Sequence, residues 1–131
     1  MIVLDASAAV ELLLQTRVGV RVADRALAQE ESIHAPHLLD VEVSQVVRRF
    51  ALAGELSLQR AEQALSDLAD LPVTRHSHTD LIARIWSLRD SLSPYDAAYV
   101  ALAEALDASL LTTDAKLARA HGHTAKIEPI Q

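Results

Sequence analysis

SPYDAAYVALAEALDASLLTTD, residues 93–114, reads as a helix, a turn and a strand in immediate succession, and the fold follows from what this unit must be buried against. Ser93 suits a helix N-cap, and Pro94 suits the first helical position, where a missing N–H costs nothing. Only Glu104 interrupts the apolar residues between Ala97 and Leu106, so the helix has no wide polar face and belongs inside a domain or at an interface. Ser109 to Thr112 reads as a strand that ends at Thr113 and Asp114. Asp96 at the helix entrance has an ordinary explanation, because a carboxylate in the first turn complements the helix dipole. A chemical reading rests on the other acids around it.

Working outward, Ile2, Val3 and Leu4 form a short continuous apolar run, consistent with a strand buried on both faces, and it stops at Asp5. A helix is expected from Ala6 to Leu14 and a second from Val18 to Gln29, with Arg17, Arg21 and Arg25 on one solvated face. Ser32 to Ala35 is a weaker strand closed by Pro36. His37 to Ala53 reads as a long helix stopped by Gly54, with a core stripe of Leu39, Val43, Val46 and Phe50, and Glu42 and Asp40 on its flanks. Leu58 to Leu71 is amphipathic through Leu58, Ala61, Leu65 and Leu68. Val73 and Thr74 begin a third strand, and Asp80 to Arg89 is helical. Ala115 to His121 forms a short helix capped by Gly122, and Thr124 to Glu128 a last strand. This alternation implies an α/β fold with a parallel sheet covered on both faces.

A chain of 131 residues with 50% hydrophobic content is the size of one domain, expected over 1–131, with a core of Leu, Val, Ile and Ala. The net charge of −6 argues against a broad basic surface for gripping duplex phosphates. Aromatic residues at 3% leave no array of rings for stacking on bases. There is no cysteine, which removes disulfides and thiolate metal sites. Asp5 and Glu11 interrupt the apolar N-terminal run, so a signal peptide is not expected; neither is a membrane span, and a soluble cytoplasmic protein is.

In an open parallel sheet, ligands gather beyond the carboxyl ends of the strands where the strand order reverses. Asp5 and Asp114 each follow a strand and would project from the same sheet edge, within reach of Asp96 and Glu42. Four such carboxylates repel one another, and a divalent cation relieves the repulsion. Oxygen donors select magnesium, or manganese as the alternative, rather than zinc. Such a site suits phosphodiester hydrolysis. Hydroxyls at Ser7, Thr112 and Thr113 can hold a metal-bound water or orient a carboxylate, though helix capping and strand termination also account for them. The histidine pairs His76/His78, His121/His123 and His34/His37 supply a rival zinc reading that lacks a third ligand.

The ordered set resembles the PIN domain: Asp5 with Ser7 behind an apolar strand, Glu42 in the helix after Pro36, Asp96 followed by Ala97 and Tyr99, and Thr112 with Asp114 behind another strand. The compact size is similar to that of a VapC-type toxin from a toxin–antitoxin pair. The resemblance implies a Rossmann-like three-layer sandwich with a parallel sheet of about five strands flanked by helices. It also implies a metal-dependent endoribonuclease acting on RNA, usually a homodimer, inhibited by a small VapB-type antitoxin. Carried over by position, Asp5, Glu42, Asp96 and Asp114 form the catalytic and metal-binding quartet, with Ser7 and Thr112 as supporting hydroxyls. Asp107 stands where many relatives have glycine in a turn, which aspartate tolerates. Two other readings remain: a phosphoacceptor receiver-like signalling domain, which would need an acid pair after the first strand, and a non-catalytic module that uses the groove to bind protein. Val41 and the apolar Ser93 helix suggest a dimer seam or partner groove, or simply a second core layer.

Overall fold

The computed structural model describes residues 1–28 and 30–131. Strands β1 (Ile2–Leu4), β2 (Ile33–Pro36), β3 (Val73–His76), β4 (Ser109–Thr112) and β5 (Lys126–Pro129) form an all-parallel sheet in the order β3-β2-β1-β4-β5. Helices α1 (Ala6–Leu14), α2 (Arg17–Leu27), α3 (Leu38–Leu52), α4 (Leu58–Asp70), α5 (Ile82–Ser87), α6 (Pro94–Leu106) and α7 (Ala115–Ala118) flank it in a three-layer sandwich. The expected extension of the second helix to Gln29 lies outside the described residues.

Burial explains the order. Ile2, Val3 and Leu4 in β1, and Leu110, Leu111 and Thr112 in β4, are fully buried, as strands at the centre of a sheet covered on both faces must be. The edge strands β3 and β5 are only partly covered, and the exposed Lys126 on β5 discourages pairing with another chain. Chain order runs from β1 outward through β2 and β3, then returns to β4 on the other side of β1. The reversal therefore falls between β1 and β4, the two strands that end in acids. This arrangement differs from the 2-1-3-4-5 order of receiver-type sheets.

Helix α6 packs on β1, β2 and β4, and its Ala97–Ala103 run is buried throughout. Its one interior acid, Glu104, is a tie between elements. Its carboxylate accepts two hydrogen bonds from Arg84 at 2.8 and 2.9 Å, and two more from the Thr124 N–H and hydroxyl at 2.8 and 2.9 Å. Those donors, Arg84 first, hold Glu104 down at about 2. Asp107 then ends α6 at φ 50°, the left-handed turn expected of it.

Several element limits differ from the sequence reading, for identifiable reasons. The fully buried stripe of α3 is Leu39, Val43 and Val47; Val46 and Phe50 pack on the core only partly buried, because the helix sets Val46 at the edge of a cleft and packs its other side on α1, α4 and β2. In α4 the buried residues are Ala61, Ala64 and Leu68, while Leu58 is exposed, since small side chains are what admit neighbouring helices closely. Helix α7 stops at Ala118, short of His121, and Gly122 is not its cap. Only Leu117 anchors α7 to the core, too little to hold a further turn. The last strand begins at Lys126 because Thr124 is engaged by Glu104. The segment expected as one helix over Asp80–Arg89 is a 3-10 turn at Thr79–Leu81 followed by α5.

Gly19 fixes the approach of α2 to α1. A Cβ there would lie 1.8 Å from the Glu11 carbonyl oxygen and 2.4 Å from its carbon, so only glycine permits this crossing. In an ordinary helix Gly→Ala is favourable by about 1 kcal/mol. Here Gly19→Ala is expected to destabilise by about 3 kcal/mol through the backbone clash. Urea denaturation reads the difference, and an unchanged or raised midpoint would show that the two helices can separate freely.

Candidate active site

The two central strands are stitched together where they end. The Asp5 N–H donates to the Leu111 carbonyl at 3.2 Å, continuing the β1–β4 ladder by one residue. The Asp5 carboxylate then caps α1, with Oδ1 accepting from the Ala8 N–H at 2.9 Å and from the Ser7 hydroxyl at 2.7 Å. Ser7 Oγ also accepts from the Thr113 N–H at 3.0 Å and lies 3.2 Å from Thr112 Oγ1. Thr112 Oγ1 accepts from the Asp114 N–H at 3.0 Å. Asp114 in turn caps α7, its Oδ1 accepting from the Lys116 N–H at 2.9 Å. Thus Asp5 and Asp114 are held at adjacent strand ends by two hydroxyls and by the first turns of two helices.

Helix α6 brings the third acid. Its cap is the Ser93 hydroxyl, which accepts from the Asp96 N–H at 3.3 Å, and the Asp96 side chain lines the cleft instead of serving as the cap. One turn on, the buried Tyr99 hydroxyl donates to Glu42 Oε1 at 2.7 Å, tying α6 to the acid on α3. Asp5, Glu42, Asp96 and Asp114 all line one open cleft of about 640 Å³, together with Ser7 and Tyr99. Thr112 is fully buried behind the cleft wall, where its hydroxyl acts on Ser7 and the Asp114 backbone.

These carboxylates sit in an unfavourable electrostatic environment. Burial pushes Asp5 up to about 6; hydrogen bonds from Thr112, Ala8 and Ser7 oppose this, and the charge of Asp96 adds to it. Burial raises Asp96, and Asp114 raises it further. Burial and Asp96 raise Glu42 against the hydrogen bond from Tyr99. Tyr99 itself is driven far above its ordinary value by burial and by Glu42, so its hydroxyl remains a donor. Asp5, Asp96 and Glu42 are therefore each influenced by another acid across the cleft.

Among the described residues, no three His, Asp or Glu side chains are gathered closely enough to form a ready-made metal cage. The histidines do not pair as their sequence spacing suggested. His34 on β2 meets His76 on β3, Nδ1 to Nε2 at 2.8 Å, and its other nitrogen meets Ser32 Oγ at 2.8 Å. Asp40 faces Arg75 through two 2.8 Å hydrogen bonds, away from the cleft. The sequence reading gave no role to Tyr99, although its place three residues after Asp96 puts both on one helix face. It also passed over Arg49, which stands two turns beyond Glu42 on α3 and lines the same cleft.

Thr112→Val tests the stitching. It leaves the shape intact but removes the partner of the Asp114 N–H and of Ser7 Oγ in a buried place. A loss of about 1–3 kcal/mol in denaturant-measured stability is expected, and no loss would mean that these groups find other partners.

An all-parallel α/β sheet with four acids facing one cleft at the reversal of strand order defines the class of protein. The chain belongs to the PIN domain family, whose model matches residues 2–122, and to its VapC type. It is 43% identical over 128 residues to Ribonuclease VapC12 of Mycobacterium tuberculosis, covering 98% of each chain. It is 44% identical over 117 residues to Ribonuclease VapC9 of the same organism, covering 89% of this chain and 88% of that one. Among solved structures it is similar to VapBC2 from Rickettsia felis bound to a DNA fragment from their promoter, with TM-score 0.72 and 16% identity over 100% of both chains, a likeness of fold.

Proposed function

We propose that this protein is a metal-dependent endoribonuclease that hydrolyses RNA phosphodiester bonds, and that it is the toxin of a type II toxin–antitoxin pair. The observation that carries the reading is that Asp5, Glu42, Asp96 and Asp114, from four separate elements, face one cleft. The VapC relatives, ribonucleases by name, support it.

The donor chemistry fits a hard divalent cation, since the cleft offers carboxylate and hydroxyl oxygens and the chain has no cysteine. Magnesium is proposed, with manganese as the alternative, held by Asp5, Asp96, Asp114 and Glu42. When bound, such an ion polarises a phosphoryl oxygen and makes water a stronger nucleophile. The chain's own work is positioning. Ser7 and the Ala8 N–H fix the Asp5 carboxylate, and Ser7 with Thr112 sets the spacing of the two strand ends. Tyr99 holds its proton on the hydroxyl and directs it at Glu42 Oε1, leaving the second oxygen free of that bond.

In the cell we infer a cytoplasmic homodimer, with a VapB-type antitoxin covering the cleft. No described helix is long and apolar enough to cross a membrane. Purified protein incubated with RNA and Mg²⁺ or Mn²⁺ should yield discrete fragments. Intact RNA with both ions would defeat the enzymatic reading. Light scattering after size exclusion tests the dimer, and a strict monomer would count against it.

A further inference from the structure

The chain contains four aromatic rings of the Phe, Trp and Tyr types, and two of them, Tyr95 and Tyr99, line the acidic cleft. Tyr99 is buried and its hydroxyl is committed to Glu42. Tyr95 is 58% exposed and immediately precedes Asp96, so a large ring stands at the mouth of the cleft beside one of the acids. Another wall is a single face of α3, where Val41, Glu42, Gln45, Val46 and Arg49 recur at helical spacing. Arg49 is the one cation lining the cleft among the described residues, and among them it enters no ion pair. It lies seven residues beyond Glu42, about 10.5 Å along the helix axis. An arginine left unpaired near four carboxylates is suited to an anion brought in from outside.

We propose that Tyr95 and Arg49 form a nucleotide-binding wall for unpaired, single-stranded RNA, an inference that rests on the ribonuclease reading of the cleft. The Tyr95 ring stacks on the base beside the scissile phosphate. Arg49 holds a phosphate one or two nucleotides along the same strand. Stacking needs a free base face, which a base inside a duplex lacks, and it tolerates any base identity. One ring and one guanidinium therefore select RNA that is locally unpaired without encoding a sequence. They also supply local grip on a polyanion in a chain of net charge −6.

The test uses a fluorescent single-stranded RNA oligonucleotide and anisotropy with Mg²⁺ present, in an Asp5→Asn background so that bound RNA is not cut. Adding Tyr95→Ala should weaken binding by roughly 10- to 100-fold, and Tyr95→Phe, which keeps the ring, should restore it. Adding Arg49→Gln should lower the slope of log affinity against log salt by about 0.7, one single-strand phosphate contact. A duplex of the same sequence should bind weakly and show little sensitivity to Tyr95→Ala. Equal affinities for the alanine and tyrosine forms, or an unchanged salt slope, would overturn the proposal. So would a Tyr95→Ala protein that binds RNA normally but loses self-association. Cleavage by the native chain, measured in parallel, separates the two claims: RNA held through Tyr95 but never cut would sink the ribonuclease reading alone.

Discussion

Asp5→Asn is expected to abolish RNA cleavage, a loss of roughly a thousandfold or more, while making the metal-free protein more stable at pH 8. The two effects have one cause. Asp5 is buried at the end of β1 among groups that cannot neutralise it, and its carboxyl sits at about 6 against an ordinary value of 3.8. Because the folded value is the higher one, its favourable contribution is fully present below about pH 4 and is lost as pH rises through about 6. Above that, an ionised Asp5 costs the fold about 3 kcal/mol relative to the unfolded chain. Asparagine keeps an acceptor for the Ala8 N–H and the Ser7 hydroxyl but carries no charge. Denaturation between pH 4 and 8 without divalent cations should show native stability declining across that range and the variant nearly flat. A variant that is both active and no more stable at pH 8 would mean that Asp5 is an ordinary helix cap.

Removing divalent cations should produce the second large effect, reducing cleavage to background, with recovery on adding Mg²⁺ or Mn²⁺ in excess of chelator. The same ion should raise thermal stability, by about 2.7 kcal/mol at one hundred times its dissociation constant. Protons compete with the ion for Asp5, so apparent ion affinity should fall about tenfold for each pH unit below about 6. The raised values of Asp96 and Glu42 should steepen that fall. Cleavage that persists in chelator would leave the four acids without the proposed role.

The parts of the fold legible in the sequence were those that depend on local pattern. An uninterrupted apolar triplet ending at Asp5 and a second run ending at Thr112 read as buried strands, and both are fully buried at the middle of the parallel sheet. The Ser93–Pro94 helix start was equally plain. What could not be read were pairings created by strand register and helix rotation. His34 meets His76 only because β2 and β3 lie in parallel register, which no spacing along the chain records. Glu104 looked like a flaw in an apolar helix until Arg84 and Thr124 closed around it.

Helix α3 shows why the cleft was only partly legible. Its face toward the core and its face toward the cleft adjoin, so the stripe drawn through Val46 took in a residue that packs on the core and also lines the cleft, and passed over the fully buried Val47. Gln45 and Arg49, in the same cleft-facing row as Glu42, were left without a role. Asp5, Asp96 and Asp114 stood out because they follow strand ends or open a helix, positions with a mechanical reason to be polar, and Glu42 through its place in the PIN-like set; all four line the cleft. Tyr99 was counted in the motif but given no role, because a buried aromatic in an apolar helix needs no further explanation until its hydroxyl is seen 2.7 Å from Glu42.

Calorimetric titration of the metal-free protein with Mn²⁺ tests most directly whether the four separated acids bind one kind of ion, as proposed. The native chain should bind saturably, and Asp96→Asn should lose that binding while remaining folded. No binding by the native chain, or equal binding by both, would contradict it.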